Sequence, residues 1–159
     1  MGNRMGFDKR GRMAIMLMLP VPPSDNKLYW TQLVRAGKKL IPIRVPTDEA
    51  KAWKRSVQDK VAELAVHSSQ SFLPNVPYDC IITLFFPVEN KTWPKMKSRF
   101  RRLDVQNRGK LAIDAVMQSI GIDDHHLFGA LFRKRNSEKE ELRITVRERR
   151  ARGQRKSVL

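Results

Sequence analysis

The sequence predicts an α/β protein of the α+β type, a single small domain in which a mixed β-sheet carries two main helices. Three observations favour this fold class. The chain has 159 residues, which suits one domain. Two segments repeat apolar residues at helical spacing, and short apolar segments of strand length surround them. The resulting order of elements, β, β, α, β, α, β, β, is typical of helices packed on a mixed sheet.

The N-terminal part is predicted to contain a basic arm, two strands and an ordered loop. Residues 1–12 are basic and are interpreted as a flexible arm. The apolar segment 13–19 ends before a proline and predicts a buried strand. Prolines and turn-forming residues in 20–30 indicate an ordered loop. Residues 38–45 predict a short edge strand that is interrupted by Pro42.

The first helix and the central strand follow. Thr47 is a favourable N-cap, and apolar residues from Ala50 to Leu64 recur at three- and four-residue steps, which predicts a helix of about five turns. The nearly continuous apolar segment 78–88 predicts a strand buried on both faces. Cys80 within it is interpreted as a small buried hydrophobe. A single cysteine excludes an internal disulfide and fits a reducing cytoplasm.

The second half of the chain carries the remaining elements. The basic, proline-broken segment 89–102 is predicted to be a loop, and a second helix runs from about residue 104 to 119. Segments 126–135 and 141–149 predict two strands that are joined as a hairpin by a polar turn. The predicted domain spans residues 13–148, and a basic, disordered tail follows at 149–159.

The charge of the chain indicates a polyanionic partner. Lys and Arg number 32 and Asp and Glu number 16, which gives a formal net charge of +16. This excess favours nucleic acid. An anionic membrane surface is the rival, but the sequence contains no long basic amphipathic helix. It also contains no apolar run of about 18 residues and no small-residue cleavage site, so neither a transmembrane segment nor a signal peptide is expected.

A helical wheel separates two faces of the second helix. The apolar face holds Val105, Gly109, Ala112, Ile113, Val116, Met117 and Ile120. The opposite face holds Asp104, Asn107, Lys110, Leu111 and Asp114, with Gln106 at the margin. Periodicity alone favours a solvated outer face with ordinary ion pairs.

A metal site is the alternative interpretation of that face. Asp104 is crowded by Arg101, Arg102 and Arg108, and Gly121 after the helix can turn the chain so that Asp123 or Asp124 lies beside it. Hard cations such as Mg²⁺ prefer carboxylate and amide oxygens, with water and phosphate in the remaining positions. Basic side chains nearby would hold the phosphate.

Three segments, PPSDNKLYW, LDVQNRGKLAIDAV and GIDD, in this order resemble the RusA family of Holliday-junction resolvases. The family pattern is Asp-x-Asp-Asn-x-x-Lys-x-x-x-Asp-Ala, followed by an Asp-Asp pair, and the similarity runs from about Met16 to Glu148. The resemblance implies a small α/β fold and a homodimeric, Mg²⁺-dependent endonuclease that nicks two opposing strands of a four-way DNA junction. It also implies a role in DNA recombination and repair and a frequent origin in phages or prophages.

The resemblance assigns roles residue by residue. Asp104, Asn107, Lys110 and Asp114 match motif positions on the helix, and Asp124 matches a metal-binding catalytic aspartate whose neighbour is Asp123. The implied catalytic set is Asp104, Gln106, Lys110 and Asp124. The implied metal ligands are Asp104 and Asp124, with Gln106 as a weak ligand, Asp123 as a further candidate and Mn²⁺ as a substitute ion. Asp114 and Asn26 are expected to play supporting roles.

Gln106 departs from the family pattern, which has a second catalytic aspartate at this position. A glutamine oxygen can contact a cation but brings no negative charge, so Mg²⁺ binding should weaken. Three explanations stay open: a subfamily with another ligand set, an inactivated variant, or a natural protein that binds junctions without cutting them.

Residues expected to contact DNA surround this motif. The predicted set is Lys91, Lys95, Lys97, Arg99, Arg101, Arg102, Asn107 and Arg108. Such residues would bind the phosphate backbone rather than read bases. Trp93 and Phe100 would stack on unpaired bases or anchor the loop, with equal weight for each reading. His125 and His126 are interpreted as polar surface in preference to a ligand or a base.

Three functions follow from these observations. The first is a metal-dependent endonuclease that acts on branched DNA as a homodimer. The second is a junction-binding protein of the same descent without catalysis, which Gln106 favours. The third and weakest is a basic RNA-binding accessory protein.

Overall fold

The computed structural model describes residues 2–23, 27, 29–91, 94–95, 97–101 and 103–149. The helices are α1 (Asp48–Val66) and α2 (Val105–Ser119), and a 3₁₀ turn covers Asp124–His126. The strands are β1 (Arg4–Phe7), β2 (Met13–Pro20), β3 (Tyr29–Ala36), β4 (Lys39–Pro46), β5 (Tyr78–Phe86), β6 (Leu127–Asn136) and β7 (Glu141–Glu148). The predicted fold class, a mixed sheet with two main helices, is confirmed.

The main sheet has five strands in the order β1-β2-β7-β5-β6. Only β5 and β6 run parallel, and the other neighbours are antiparallel. Alternate residues of β5, among them Cys80, Ile82 and Leu84, are buried against the helices, whereas Ile81 and Phe85 are only partly buried. The expectation of a strand buried on both faces is therefore met on one face. Burial raises the pKa of the Cys80 thiol to about 12, as suits a core side chain.

The predicted hairpin of the last two strands is wrong, because β5 lies between β6 and β7. The turn after β6 crosses the end of β5, where the amide of Ser137 donates to the carbonyl of Phe86 at 3.1 Å. Apolar β5 takes a central place and forms backbone ladders on both sides, while the largely exposed strand β6 takes the edge. Sequence proximity favoured a hairpin, but burial decided the order of the strands.

The predicted flexible arm over residues 1–12 also differs from the structure. Arg4–Phe7 pair with β2 from Arg4 opposite Met16 to Phe7 opposite Met13. Asp8 closes the turn that follows, with its Oδ2 2.6 Å from the guanidinium of Arg12. Burial raises the pKa of Asp8, but the hydrogen bonds and charge of Arg12 outweigh it and lower the pKa to about 2. Of the predicted tail, only Arg149 belongs to the described residues.

Strands β3 and β4 form a separate two-stranded sheet. The proline-interrupted pattern of residues 38–45 predicts β4, whereas the start of β3 lies in the segment 20–30 that was expected to be a loop. The strands pair from Tyr29 opposite Pro46 to Ala36 opposite Lys39, around a two-residue turn. Gly37 in this turn has a φ of 63°, a conformation that glycine adopts without strain. The hairpin leaves most of its side chains exposed.

Helix α1 begins as predicted, because the hydroxyl of Thr47 accepts a hydrogen bond from the amide of Ala50 at 3.2 Å. It ends at Val66, close to the expected end. Among the described residues, neither helix is long and apolar enough to cross a bilayer.

Candidate active site along helix α2

Asp104 is the N-cap residue of α2. Its Oδ1 accepts hydrogen bonds from the amides of Gln106 at 2.9 Å and Asn107 at 3.1 Å, so the carboxylate caps the helix. Within the described part of the chain, Oδ2 accepts no hydrogen bond. The side chains of Gln106 and Asn107 are exposed beside it. One carboxylate oxygen and two amide oxygens are therefore available at this end of the helix.

Three of the arginines predicted to bind DNA are held by other groups of the protein. Arg108 is partly buried and donates to the carbonyl of Pro22 at 2.6 Å. Arg101 bonds Glu140 at 2.7 Å, and Arg99 donates to Glu89 through two nitrogens, at 2.9 and 2.7 Å. These contacts give all three arginines a structural role in the free protein. Arg99 and its ion pair remain exposed, so this guanidinium is still accessible to a phosphate.

The basic loop that precedes α2 is closed at its base. Glu89 and Phe100 form a β-bridge, and the amide of Asn90 donates to the carbonyl of Arg99 at 2.9 Å. The side-chain amide of Asn90 also donates to the carbonyl of Ser98. Phe100 at the base is 56% exposed.

This closure presents a set of exposed lysines, which are Lys91, Lys95 and Lys97. The predicted residues Asn26, Trp93 and Arg102 lie outside the described residues.

The middle of α2 approaches the sheet closely at Gly109, as the sequence indicated. A Cβ at this position would lie 2.5 Å from Cε1 of Phe132 and 3.0 Å from Cδ1 of Ile82. On the other side of the helix, Lys110 is exposed. Leu111, which the helical wheel assigned to the polar face, is only 2% exposed. Helix α1 packs against α2, so fewer residues on the polar face of α2 are exposed to solvent. The periodicity of α2 does not reveal this contact.

The C-terminal end of α2 gathers the remaining acidic residues. Gly121, with a φ of 72°, turns the chain. The amide of Ile122 then donates to the carbonyl of Met117 at 3.0 Å. A depression of about 260 Å³ follows this turn and is lined by Asp114, Met117, Gln118, Ile122, Asp123 and Asp124. The predicted approach of Asp123 and Asp124 to the helix is thus observed at its C-terminal end.

The pKa values of two of these carboxylates, Asp114 and Asp123, are shifted in opposite directions. Burial raises the pKa of Asp114, and the charge of Asp124 adds to this, although Lys110 and Lys54 oppose it. Hydrogen bonds from the backbone and the side chain of His125 hold the pKa of Asp123 at about 2. The contribution of Lys54, from α1, escaped sequence analysis because no local pattern links the two helices.

The histidines after this turn serve mainly local structure. Nδ1 of His125 lies 2.8 Å from Oδ1 of Asp123, which also accepts from the amide of His125 at 3.2 Å. The rings of His125 and His126 are 3.9 Å apart. Nδ1 of His126 is buried and, among the described groups, has no hydrogen-bond partner.

The expected metal ligands do not converge within one chain. Helix α2 has 15 residues, so its ends are separated by roughly 22 Å, with Asp104 at one end and Asp124 beyond the other. Among the described residues, no group of three His, Cys, Asp or Glu side chains is close enough to hold a metal. Carboxylate and amide oxygens suit a hard cation, but those of the predicted ligands lie apart at the two ends of α2.

Comparison with known proteins identifies the family of the chain. The model of the family described as "Endodeoxyribonuclease RusA" matches residues 20–147. No curated protein matches the chain. Among solved structures, the chain is similar to a 2C-methyl-D-erythritol 2,4-cyclodiphosphate synthase from Plasmodium vivax, with 10% identity over 92% of this chain and 96% of that one. The TM-score is 0.27, and this similarity supports no conclusion about fold or function.

Proposed function

Because the chain belongs to the RusA family of endodeoxyribonucleases, we propose that it is a Mg²⁺-dependent endonuclease that resolves four-way DNA junctions by paired nicks. One observation carries the proposal beyond family membership. The acidic residues of the family motif lie at the two ends of α2, with Asp104 exposed at the N-terminal end, Asp114, Asp123 and Asp124 lining one depression at the other, and the exposed Lys110 between them. The net charge of +16 supports a nucleic-acid substrate.

The residues at the two ends of α2 have separate roles in this proposal. Asp104 offers its Oδ2 to the cation while Oδ1 caps the helix, and Gln106 adds a neutral oxygen. Asp124 supplies the other carboxylate, and Asp123 supports it. Bound Mg²⁺ would polarise the scissile phosphate and lower the pKa of the attacking water. Lys110 stabilises charge that develops on the phosphate.

A two-fold dimer would complete the ligand set that one chain leaves divided. An axis that crosses α2 near its middle would place the Asp104 end of one protomer beside the Asp124 end of its partner. This arrangement produces two equivalent sites, as the two symmetric cutting points of a junction require. The roughly 22 Å between the ends of α2 supports the dimer, because side chains cannot span that distance within one chain.

Mixing two inactive variants tests this arrangement directly. Asp104→Asn and Asp124→Asn should each abolish cleavage as homodimers. When the two are mixed, a shared site predicts single nicks, because each mixed dimer has one site with both aspartates intact. No cleavage by the mixture, with subunit exchange verified by a mass tag on one of the two variants, would mean that each chain uses its own two aspartates. Asp59→Asn, an exposed change on α1, serves as the control.

A second candidate function is junction binding without cleavage, and Gln106 specifically favours it. The side chain is exposed at the N-terminal end of α2, where the family pattern has a carboxylate. Loss of one negative ligand weakens Mg²⁺ affinity. Cleavage by the Gln106→Asp variant alone, with equal junction binding by both proteins, would establish this second function. An RNA of equal length, added as competitor, should displace the junction poorly under either proposal.

A further inference from the structure

The β3–β4 hairpin, residues 29–46, has an apolar face that is exposed to solvent. Strand register places Trp30 opposite Val45 and Val34 opposite Ile41, so these side chains share one face with Ile43. Trp30 is 50% exposed, Ile41 47% and Ile43 42%. Such alternation of apolar and polar residues is typical of a strand pair with one covered face.

This exposure indicates a bound partner. A two-stranded hairpin is at best marginally stable alone in water. Contiguous apolar side chains at a protein surface commonly mark a binding site. Leu33 and Leu40 on the opposite face are also more than 60% exposed, at 61% and 62%. The hairpin therefore offers apolar contact area on both of its faces.

Charge identifies the partner as nucleic acid. The hairpin contains no Asp or Glu, and it contains four basic residues, Arg35, Lys38, Lys39 and Arg44, all exposed. In the described part of the chain, none of the four forms an ion pair with a carboxylate. Two copies that met through this hairpin would bring like charges together, which is unfavourable. A polyanion would neutralise them.

Two hydrogen bonds fix the chain next to the hairpin, one to α2 and one at the start of α1. Arg108 in the first turns of α2 donates to the carbonyl of Pro22, 2.6 Å away, before the hairpin. The hydroxyl of Thr47, directly after the hairpin, donates to the carbonyl of Lys27, also at 2.6 Å. The base of the hairpin is thus closed at the start of α1, and Pro22, seven residues before β3, is held against α2. The Asp104 cap lies one helical turn from Arg108.

We propose that the β3–β4 hairpin is a DNA-binding arm, whose basic tip contacts phosphates and whose apolar face packs against bases exposed at the branch point. Antiparallel ribbons fit DNA grooves, and apolar side chains insert between base steps in other DNA-bending proteins. Stacking on exposed bases tolerates any sequence, so the arm distinguishes branched from linear DNA by shape. This inference rests on the proposed function and adds the element that selects the substrate.

Two double variants and one control test the arm. Lys38→Gln with Lys39→Gln removes charge at the tip, and Trp30→Ser with Ile43→Ser removes two of the apolar side chains on the proposed face. Lys51→Gln with Arg55→Gln removes two exposed charges from α1 as the control. Binding to a synthetic four-way junction and to a linear duplex is measured in EDTA over a range of salt concentrations. Circular dichroism verifies folding, and light scattering gives the oligomeric state.

The tip variant should lose affinity for both DNAs, and its plot of log affinity against log salt should become shallower by about 2, near 0.9 for each lost phosphate contact. The apolar variant should lose about 10-fold in junction affinity and little in duplex affinity, because only the junction exposes bases. The α1 control should retain the salt slope of the unmodified chain.

Three results would overturn the arm or its premise, and they are distinguishable. If the unmodified chain prefers the junction but both hairpin variants bind as it does, the arm is refuted while the proposed function stands. If the apolar variant becomes monomeric and loses affinity for both DNAs equally, the face joins two copies of the chain. If the unmodified chain does not prefer the junction to the duplex, the proposed function itself fails.

Discussion

Asp104 has two roles that substitution can separate. Its Oδ1 accepts from two backbone amides and so stabilises the start of α2, while its Oδ2 is proposed to bind Mg²⁺. Asn is as good an N-cap as Asp, whereas Ala removes the cap. Asp104→Ala should therefore lower the free energy of unfolding by about 1 kcal/mol and the melting temperature by about 3 °C. Asp104→Asn should leave both close to those of the unmodified chain.

Cleavage should respond differently from stability. Both variants lose the charged ligand, so both should cut a four-way junction at least about 100-fold more slowly, since even outer partners of metal ligands contribute 10- to 100-fold. Urea unfolding and junction cleavage, measured on the same preparations, compare the two effects. Cleavage by Asp104→Asn at the unmodified rate would refute the metal role. A free energy of unfolding for Asp104→Ala equal to that of the unmodified chain would refute the capping role.

Three further predictions concern α2 and the basic loop. Gly109→Ala should destabilise the protein by about 1–3 kcal/mol in urea unfolding, because the new Cβ meets the ring of Phe132; an unchanged midpoint would contradict this packing. The raised pKa of Asp114 means that the folded protein binds its proton more tightly, so stability falls as pH rises above the ordinary aspartate pKa of 3.8, and Asp114→Asn should gain stability relative to the unmodified chain between pH 4 and 7. A relative gain that does not grow with pH would show that burial does not dominate. Changing Lys91, Lys95 and Lys97 together to Gln should make the slope of log junction affinity against log salt concentration shallower by about 3. An unchanged slope would exclude phosphate contacts from these lysines.

Local signals in the sequence predicted the helices well. Thr47 and Asp104 are capping residues before long apolar repeats, and both helices begin at these caps. These features depend on residues within one or two turns of each other. The apolar periodicity of α2 likewise identified the face that packs on the sheet, including the close approach at Gly109.

Features that depend on distant parts of the chain escaped prediction. The order of strands follows from competition for the central position, which β5 occupies between β6 and β7. The face of α2 that contains Leu111 is narrowed by α1, which no repeat within α2 reveals. Prolines and turn-forming residues before Trp30 suggested a loop, although the glycine turn at Gly37 is compatible with a hairpin.

The candidate site was predicted as a set of residue types and not as a geometry. The order of Asp104, Lys110, Asp114 and Asp124 along the chain suggested one cluster, but 15 helical residues separate the first acidic group from the last. Spacing along a helix fixes this distance, and the sequence could have given it through the rise of about 1.5 Å per residue. Our proposal that a second chain completes the ligand set depends on the observed end of α2.

Junction cleavage by the unmodified chain tests the proposed activity most directly. A synthetic four-way junction is incubated with Mg²⁺, with Mn²⁺ or with EDTA, beside the Gln106→Asp variant, and the nick positions are mapped on all four strands. We expect paired, symmetric nicks by the unmodified chain in Mg²⁺ or Mn²⁺, more rapid nicking by the variant, and none in EDTA. A junction that is bound tightly but left uncut by the unmodified chain in both metals would contradict the nuclease and leave junction binding as the function.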